Sequence, residues 1–384
     1  MTKQPDTTIS PKAQRATLRG RPELYTTYAA DQAIWNTNAK KLWTLILVIV
    51  VAMAPFLGLS RDLQQLLTTV FIYAIGGIGL NLVTGFAGQV SLGHAFFLGL
   101  GAYTATFFGG TPTGSIRGLE LDMYIWLPLA GIVPMLVGLA VAPLAARVRG
   151  LYLAILTLGL VFIGEHLFKE VRTITAGPGL GVRGPDPQIF GFNLYQRHSP
   201  FGFDLDRETV FYVFCLGLLI VMGILARNMA RSRMGRAFAA VRDRDIAAEV
   251  MGVPLLQTKV IAFGVSSFYA GIAGALLTVG ISITPENWNL LLSVEFLAVI
   301  LIGGIATISG SIIGAGFVVL LPRLVQAVAP SIPFIGSNAL LSVQQVEGML
   351  FGGLIVAFLV LEPRGLFGLW LRIRNYWKAW PFSY

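Results

Sequence analysis

Apolar residues run along this chain in unbroken blocks of about twenty, divided by short polar stretches. Continuous blocks of that length predict helices, and at 1.5 Å per residue each covers roughly the 30 Å of a bilayer's hydrocarbon core. The predicted spans are Leu42–Leu59, Leu66–Val83, Ser91–Phe108, Ile125–Ala146, Leu151–Phe168, Thr209–Ala226, Val260–Ile281 and Val346–Leu361. Between the last two lies Leu291–Leu321, long for one crossing and short for two, with "GGIATISG" (Gly303–Gly310) at its centre. It predicts two short helical pieces meeting at a Gly/Ser break and buried against other helices. Irregular backbone is tolerated at membrane depth only where protein or a water-filled path satisfies it. The expectation is an all-α, polytopic membrane bundle of about ten spanning or partly spanning segments with broken helices. The residue-by-residue alternation of a membrane β-barrel is absent.

Composition agrees. Of 384 residues, 55% are hydrophobic and 12% charged, against roughly 25% charged in soluble domains. The formal charge of +9 first suggests nucleic acid, but the basic residues track membrane sides. With the N-terminus inside, the inner segments are 1–41, the Arg147/Arg149 turn, 227–259 and 364–378. They hold 20 of the 28 Lys and Arg residues, the bias that sets orientation in membranes. Residues 1–41 read as a basic cytoplasmic extension with no cleavable signal peptide, 42–368 as the membrane domain and 369–384 as a cytoplasmic tail. The lone cysteine, Cys215, sits in an apolar run as a small packing residue.

Three stretches depart from this pattern. "GFAGQVSLGHAFF" (Gly85–Phe97) sets Gln89, Ser91 and His94 among glycines at membrane depth, just after Asn81. Gln89 and Ser91 can bind freed backbone groups, while Gly93, Gly99 and Gly101 smooth one face of the next helix for close packing. Segment 227–256 is the longest polar inner loop. Phe238, Val241, Ile246 and Val250 recur at near-helical steps, with Arg236, Arg242, Asp243, Arg244, Asp245 and Glu249 supplying charge before Gly252 and Pro254 stop the helix. Such a helix can dock in a groove of a partner protein or lie on the lipid surface. The outer segment 169–208 carries "AGPGLGVRGPDP", with Arg183, Asp186 and Arg197 as rim charges. Glu165 and Glu295 lie near the outer ends of spans, where water or a partner can meet them.

"GLNLVTGFAGQVSLGHAFFLGLGAY" resembles the signature of the inner-membrane permeases of branched-chain amino-acid ABC transporters, the LivM-like type, related to permeases for urea and short amides. "TAGPGLGV", "GRAFAAVRDRDIAAEVMGV" and "SVEFLAVILIGGIATISGSIIGA" with "LEPRGLFG" are similar to that family's segments in the same order, over roughly residues 66–368. Thr307 and Ile308 depart from the family's usual glycine-serine break. The resemblance implies a non-enzymatic subunit of the bacterial inner membrane with both termini cytoplasmic. It implies two ATP-binding cassette subunits, a second homologous permease and an extracytoplasmic substrate-binding protein as partners, with lipid around it and no nucleic acid. The translocation path would include Asn81, Gln89, Ser91, His94, Gly303, Gly304 and Ser309. Arg236, Arg242, Asp243, Asp245, Glu249 and Gly252 would couple to the ATPase. Gly177, Gly179, Gly181 and Arg183 would receive the binding protein. No cofactor or metal is expected, no P-loop occurs, and no nucleophile–base pair is apparent. An ion-coupled secondary transporter is the alternative class, disfavoured by the shortage of ionisable residues at mid-span.

Overall fold

The computed structural model describes residues 38–112, 117–148, 150–177, 179, 181–189, 192–194, 206–328, 343–362 and 365–379. Most of the N-terminal extension, Arg149, Arg197, Arg364 and the end of the tail lie outside the described residues.

Fourteen α-helices occur among the described residues. The first, α1, is Asn38–Met53 and ends in a 3-10 turn, Ala54–Leu57. Helix α2, Arg61–Asn81, runs into a π-helical turn, Leu82–Phe86. There follow α3 His94–Gly109, α4 Met123–Ala146, α5 Leu151–Glu170 and the short α6 Arg172–Thr175. After these come α7 Arg207–Arg231, α8 Arg233–Asp243, α9 Asp245–Val250 and α10 Leu255–Leu277. The last four are α11 Leu290–Gly303, α12 Ile308–Val328, α13 Val343–Leu361 and α14 Gly365–Ala379. Among the described residues, seven helical stretches are long and apolar enough to cross a membrane, Arg61–Phe86 and Ile308–Gln326 among them. The shorter apolar α1, α3 and α13 bring the segments to the ten that the pattern predicts.

The chain divides into two compact units. The smaller is 1–48 with 370–384; there the start of α1 exposes Leu42, Trp43 and Leu45, and the end of α14 exposes Trp370, Ile373 and Tyr376. The larger, Ile49–Leu369, contains the core. Its helices cross closely because small residues meet. A Cβ on Gly101 of α3 would strike the backbone of Gly271 in α10, 2.7 Å from its carbonyl carbon, and one on Gly274 would strike Leu98. Large side chains fill the rest of the core: Trp126, Tyr212, Phe263 and Phe296 are fully buried.

Two expectations need correction. The pieces of the broken segment are unequal: α11 has 14 residues, but α12 has 21 and continues through Pro322 to Val328, because the apolar run does not stop at Leu321. The inner loop is two helices rather than one, since Arg244 is extended (φ −156°, ψ 102°) between α8 and α9. Sequence patterning also missed the four two-residue strands among the described residues. β1 (Val182–Arg183) pairs antiparallel with β4 (Ser282–Ile283), and β2 (Gln188–Ile189) with β3 (Phe192–Asn193). The first pair ties the Gly-rich segment to the chain leaving α10.

Candidate translocation and coupling site

The first break begins where α2 widens. Ala87 N donates to Leu82 O across five residues and Gln89 N donates to Val83 O, after which the chain is irregular until α3 starts at His94. A π-turn of this kind frees backbone groups and recurs at functional sites. Side chains, two of them from distant elements, meet backbone groups along this break. Leu92 N donates to Thr157 Oγ1 at 2.9 Å, Ala95 N to Ser293 Oγ at 2.9 Å, and Gly93 N to Ser91 Oγ at 3.3 Å. Thr84 Oγ1 donates to Gln89 O at 3.1 Å.

The second break, Gly304–Thr307 between α11 and α12, lies against the first. Asn81, 1% exposed, spans both. Its Nδ2 donates to Thr307 O at 2.9 Å, Ser311 Oγ at 2.8 Å and Gly304 O at 3.4 Å. Its Oδ1 accepts from Ala306 N at 2.8 Å. One amide thus uses both ends to hold a turn whose Gly304 and Ala306 carry positive φ, 132° and 57°. Gly85 completes the contact, since a Cβ there would strike Asn81 Oδ1 and lie 2.6 Å from Ala306 N. Behind the turn, a Cβ on Gly303 would lie 3.0 Å from Gly314 Cα, and one on Gly365 2.8 Å from Gly304 N. The start of α14 therefore rests on the same turn.

The two-helix segment reaches the first break directly. Ser232 caps α8 by accepting from Met234 N at 3.1 Å. Phe238 and Val241 are buried, and Arg242 Nη1 donates to Gly85 O at 3.3 Å. Its stem lies on Gly88, where a Cβ would come within 2.7 Å of Arg242 Cγ. Beyond the kink at Arg244 the apolar residues turn the other way: Ile246 is 64% and Val250 82% exposed. Gly252, with φ +83°, ends α9, and Val253 N closes it on Ala248 O. A groove of about 620 Å³ runs between Arg233 and Arg236 of α8, the Met251–Pro254 turn, and Gln257 and Ile261 of α10. A continuous line of contacts thus runs from α8 through Arg242, Gly85 and Asn81 to the α11–α12 turn.

Of the path candidates, the structure gathers Asn81, Gly303 and Gly304 at one junction. Ser91 bonds the backbone as anticipated. The Gln89 side chain does not: both its amide atoms are buried without a partner among the described residues. Thr84, Thr157 and Ser293 take the expected role. His94 is buried beside the Phe296 ring, centroids 4.9 Å apart, and Ser309 is exposed. Of the coupling candidates, Arg242 touches the break, Asp243 pairs with Arg242 at 3.1 Å, Arg236 and Gly252 are exposed along the groove, Glu249 is exposed on α9, and Asp245 opens α9. Gly177, Gly179 and Gly181 all have positive φ, and exposed Arg183 lies 3.6 Å from Asp186. Glu165 pairs with Lys169 at 2.7 Å, and Glu295 accepts from Tyr73 Oη at 3.2 Å. Sequence reasoning missed Thr157, Ser293 and Ser311, lone small hydroxyls in apolar runs that nothing local marks.

A family model described as branched-chain amino acid transport system / permease component matches residues 63–359. The high-affinity branched-chain amino acid transport system permease protein LivM of Salmonella typhimurium (strain LT2) is 28% identical over 344 residues, 86% of this chain and 76% of that protein. The corresponding LivH of Escherichia coli (strain K12) is 23% identical over 315 residues, 80% and 95% of the two chains. The autoinducer 2 import system permease protein LsrC of Escherichia coli O9:H4 is 25% identical over 289 residues, 72% and 76% of the two. No solved structure matches. With the family model covering most of its length, and both breaks and the two-helix segment inside the matched region, this chain belongs to the branched-chain amino acid transport system permease component family.

Proposed function

We propose that the chain is one permease subunit of an ABC importer for branched-chain or related amino acids, working by alternating access. The observation that carries this is the contact line from the kinked α8–α9 segment through Arg242 and Gly85 to Asn81 and the α11–α12 turn. A force applied at α9 reaches both breaks through it. Two ATP-binding cassette subunits supply that force. One docks on this chain at the exposed face of Ile246, Glu249 and Val250 and the groove beside Gly252, in the manner of a helix set into a partner's groove. A second homologous permease forms the other wall of the path, and ATP binding and hydrolysis shift the population between two arrangements. The side bearing α8 and α9 is cytoplasmic, as are both termini, and the membrane is the bacterial inner membrane. The β1–β4 corner with Gly177–Arg183 faces outward and receives the substrate-binding protein.

The test is co-expression with the neighbouring transport genes, affinity purification through this chain, and uptake of labelled leucine into vesicles. The reading expects ATP-binding subunits in the purified complex, and uptake that needs both ATP and binding protein. Uptake by this chain alone, driven by an ion gradient, would contradict it, as would urea competing where leucine does not.

A further inference from the structure

Helix α14 follows the apolar α13 after residues 362–364. It is 15 residues long and so rises about 22 Å, short of the roughly 30 Å of a hydrocarbon core. It also carries Arg372, Arg374 and Lys378, so it is no further span. Yet apolar side chains line its surface: Leu369 is 38%, Trp370 56%, Ile373 53% and Tyr376 63% exposed. At about 100° per residue these four occupy an arc of about 120° with Ile373 at its centre. Arg372 and Arg374 stand about 40° beyond the two edges of that arc. Both are exposed, as is Asn375 on the opposite side of the helix.

We propose that this face of α14 lies in the bilayer surface and binds the headgroups of anionic lipids. A helix half-sunk in a membrane meets the headgroup layer along both edges of its apolar face, and that is where the two arginines stand. Their stems can cover apolar surface while the guanidinium groups reach the phosphates. Indole and phenol rings favour the same depth, and three of the chain's seven tryptophans, Trp370, Trp377 and Trp380, fall within residues 370–380. The sign of the charge selects the lipid. No Asp or Glu follows Glu362, whereas Arg364, Arg372, Arg374 and Lys378 do. Each basic residue held near an anionic surface is worth about fivefold in binding. The inference needs only a multi-pass membrane chain, and so stands or falls apart from the importer reading.

The test places single nitroxide labels on the full chain, through Ile373→Cys or Asn375→Cys with Cys215→Ala, in vesicles of phosphatidylcholine with or without phosphatidylglycerol. Power saturation reads how often each label meets oxygen, which concentrates in the bilayer, and a water-soluble nickel complex. With phosphatidylglycerol present, the 373 label meets oxygen and is shielded from nickel, while the 375 label meets nickel. Arg372→Gln and Arg374→Gln each lower the ratio of seated to unseated helix about fivefold, so nickel reaches position 373 in the double variant, as it does in phosphatidylcholine alone. Equal nickel access at 373 and 375 in phosphatidylglycerol vesicles overturns the proposal. So does a 373 label shielded from oxygen and nickel alike, because a second copy or another protein then covers the face. A 373 label seated equally well in phosphatidylcholine alone also overturns it, since charge then plays no part. Should the 373 label disturb folding, Tyr376→Cys reads the same face.

Discussion

At the residue scale the junction rests on one amide. Asn81 donates to Gly304, Thr307 and Ser311 and accepts from Ala306, so both ends of its side chain are committed. Asn81→Ala strands several buried partners, and thermal unfolding should show a loss of about 3 kcal/mol. Asn81→Asp is the sharper probe. It keeps the acceptor for Ala306 but turns a carboxylate oxygen toward the Gly304 and Thr307 carbonyls, so it should be no better than alanine. A variant as stable as wild type would show that the amide does not hold the turn. Gly85→Ala drives a methyl into Asn81 and Ala306 and should reduce both stability and uptake, read in the same assays. How much of this was legible differs by residue. Asn81 and Gly85 stood out because an amide and a glycine interrupt an apolar block. Thr157 and Ser293 did not, because their partners lie 65 and 198 residues away and a single hydroxyl leaves no local pattern.

Elements were easier to read than their joints. Eight apolar blocks and one interrupted block became ten helices, because block length and continuity are set by the bilayer. The kink between α8 and α9 was missed, because the five-residue step from Val241 to Ile246 passes for an imperfect helical one. It is the place where one face goes inward and the next outward. If α9 carries the docking surface, Glu249→Arg and Gly252→Trp leave the subunit inserted but uncouple ATP hydrolysis from uptake; substrate-stimulated hydrolysis matched by normal uptake in both would reject that role. The α3–α10 crossing gives a stability prediction. Gly101→Val places a branched side chain against Gly271 backbone, and the helices cannot separate without opening the core. We expect loss of the folded species, seen as aggregation on size-exclusion chromatography, whereas Gly159→Val, with open space at its position, should elute as wild type. The strand pair β1–β4 was illegible, since two residues on each side carry no periodicity. Deleting 177–184 removes one of its partners and should abolish binding-protein-dependent uptake while ATP-binding subunits still copurify.

At the scale of the whole molecule, the two breaks are far apart in sequence yet form one junction, and α8 joins it through a hydrogen bond to a carbonyl at the first break. In the proposed function this bond transmits motion from α8 and α9 to the path. A hydrogen bond to a charged donor contributes about 1.5–3 kcal/mol, so losing it should cost roughly tenfold or more in coupling. The most direct measurement is the ratio of solute taken up to ATP hydrolysed by the assembled importer in vesicles, wild type against Arg242→Ala. The account predicts that hydrolysis persists while uptake per ATP falls about tenfold or more. An unchanged ratio in a normally assembled Arg242→Ala complex would contradict it.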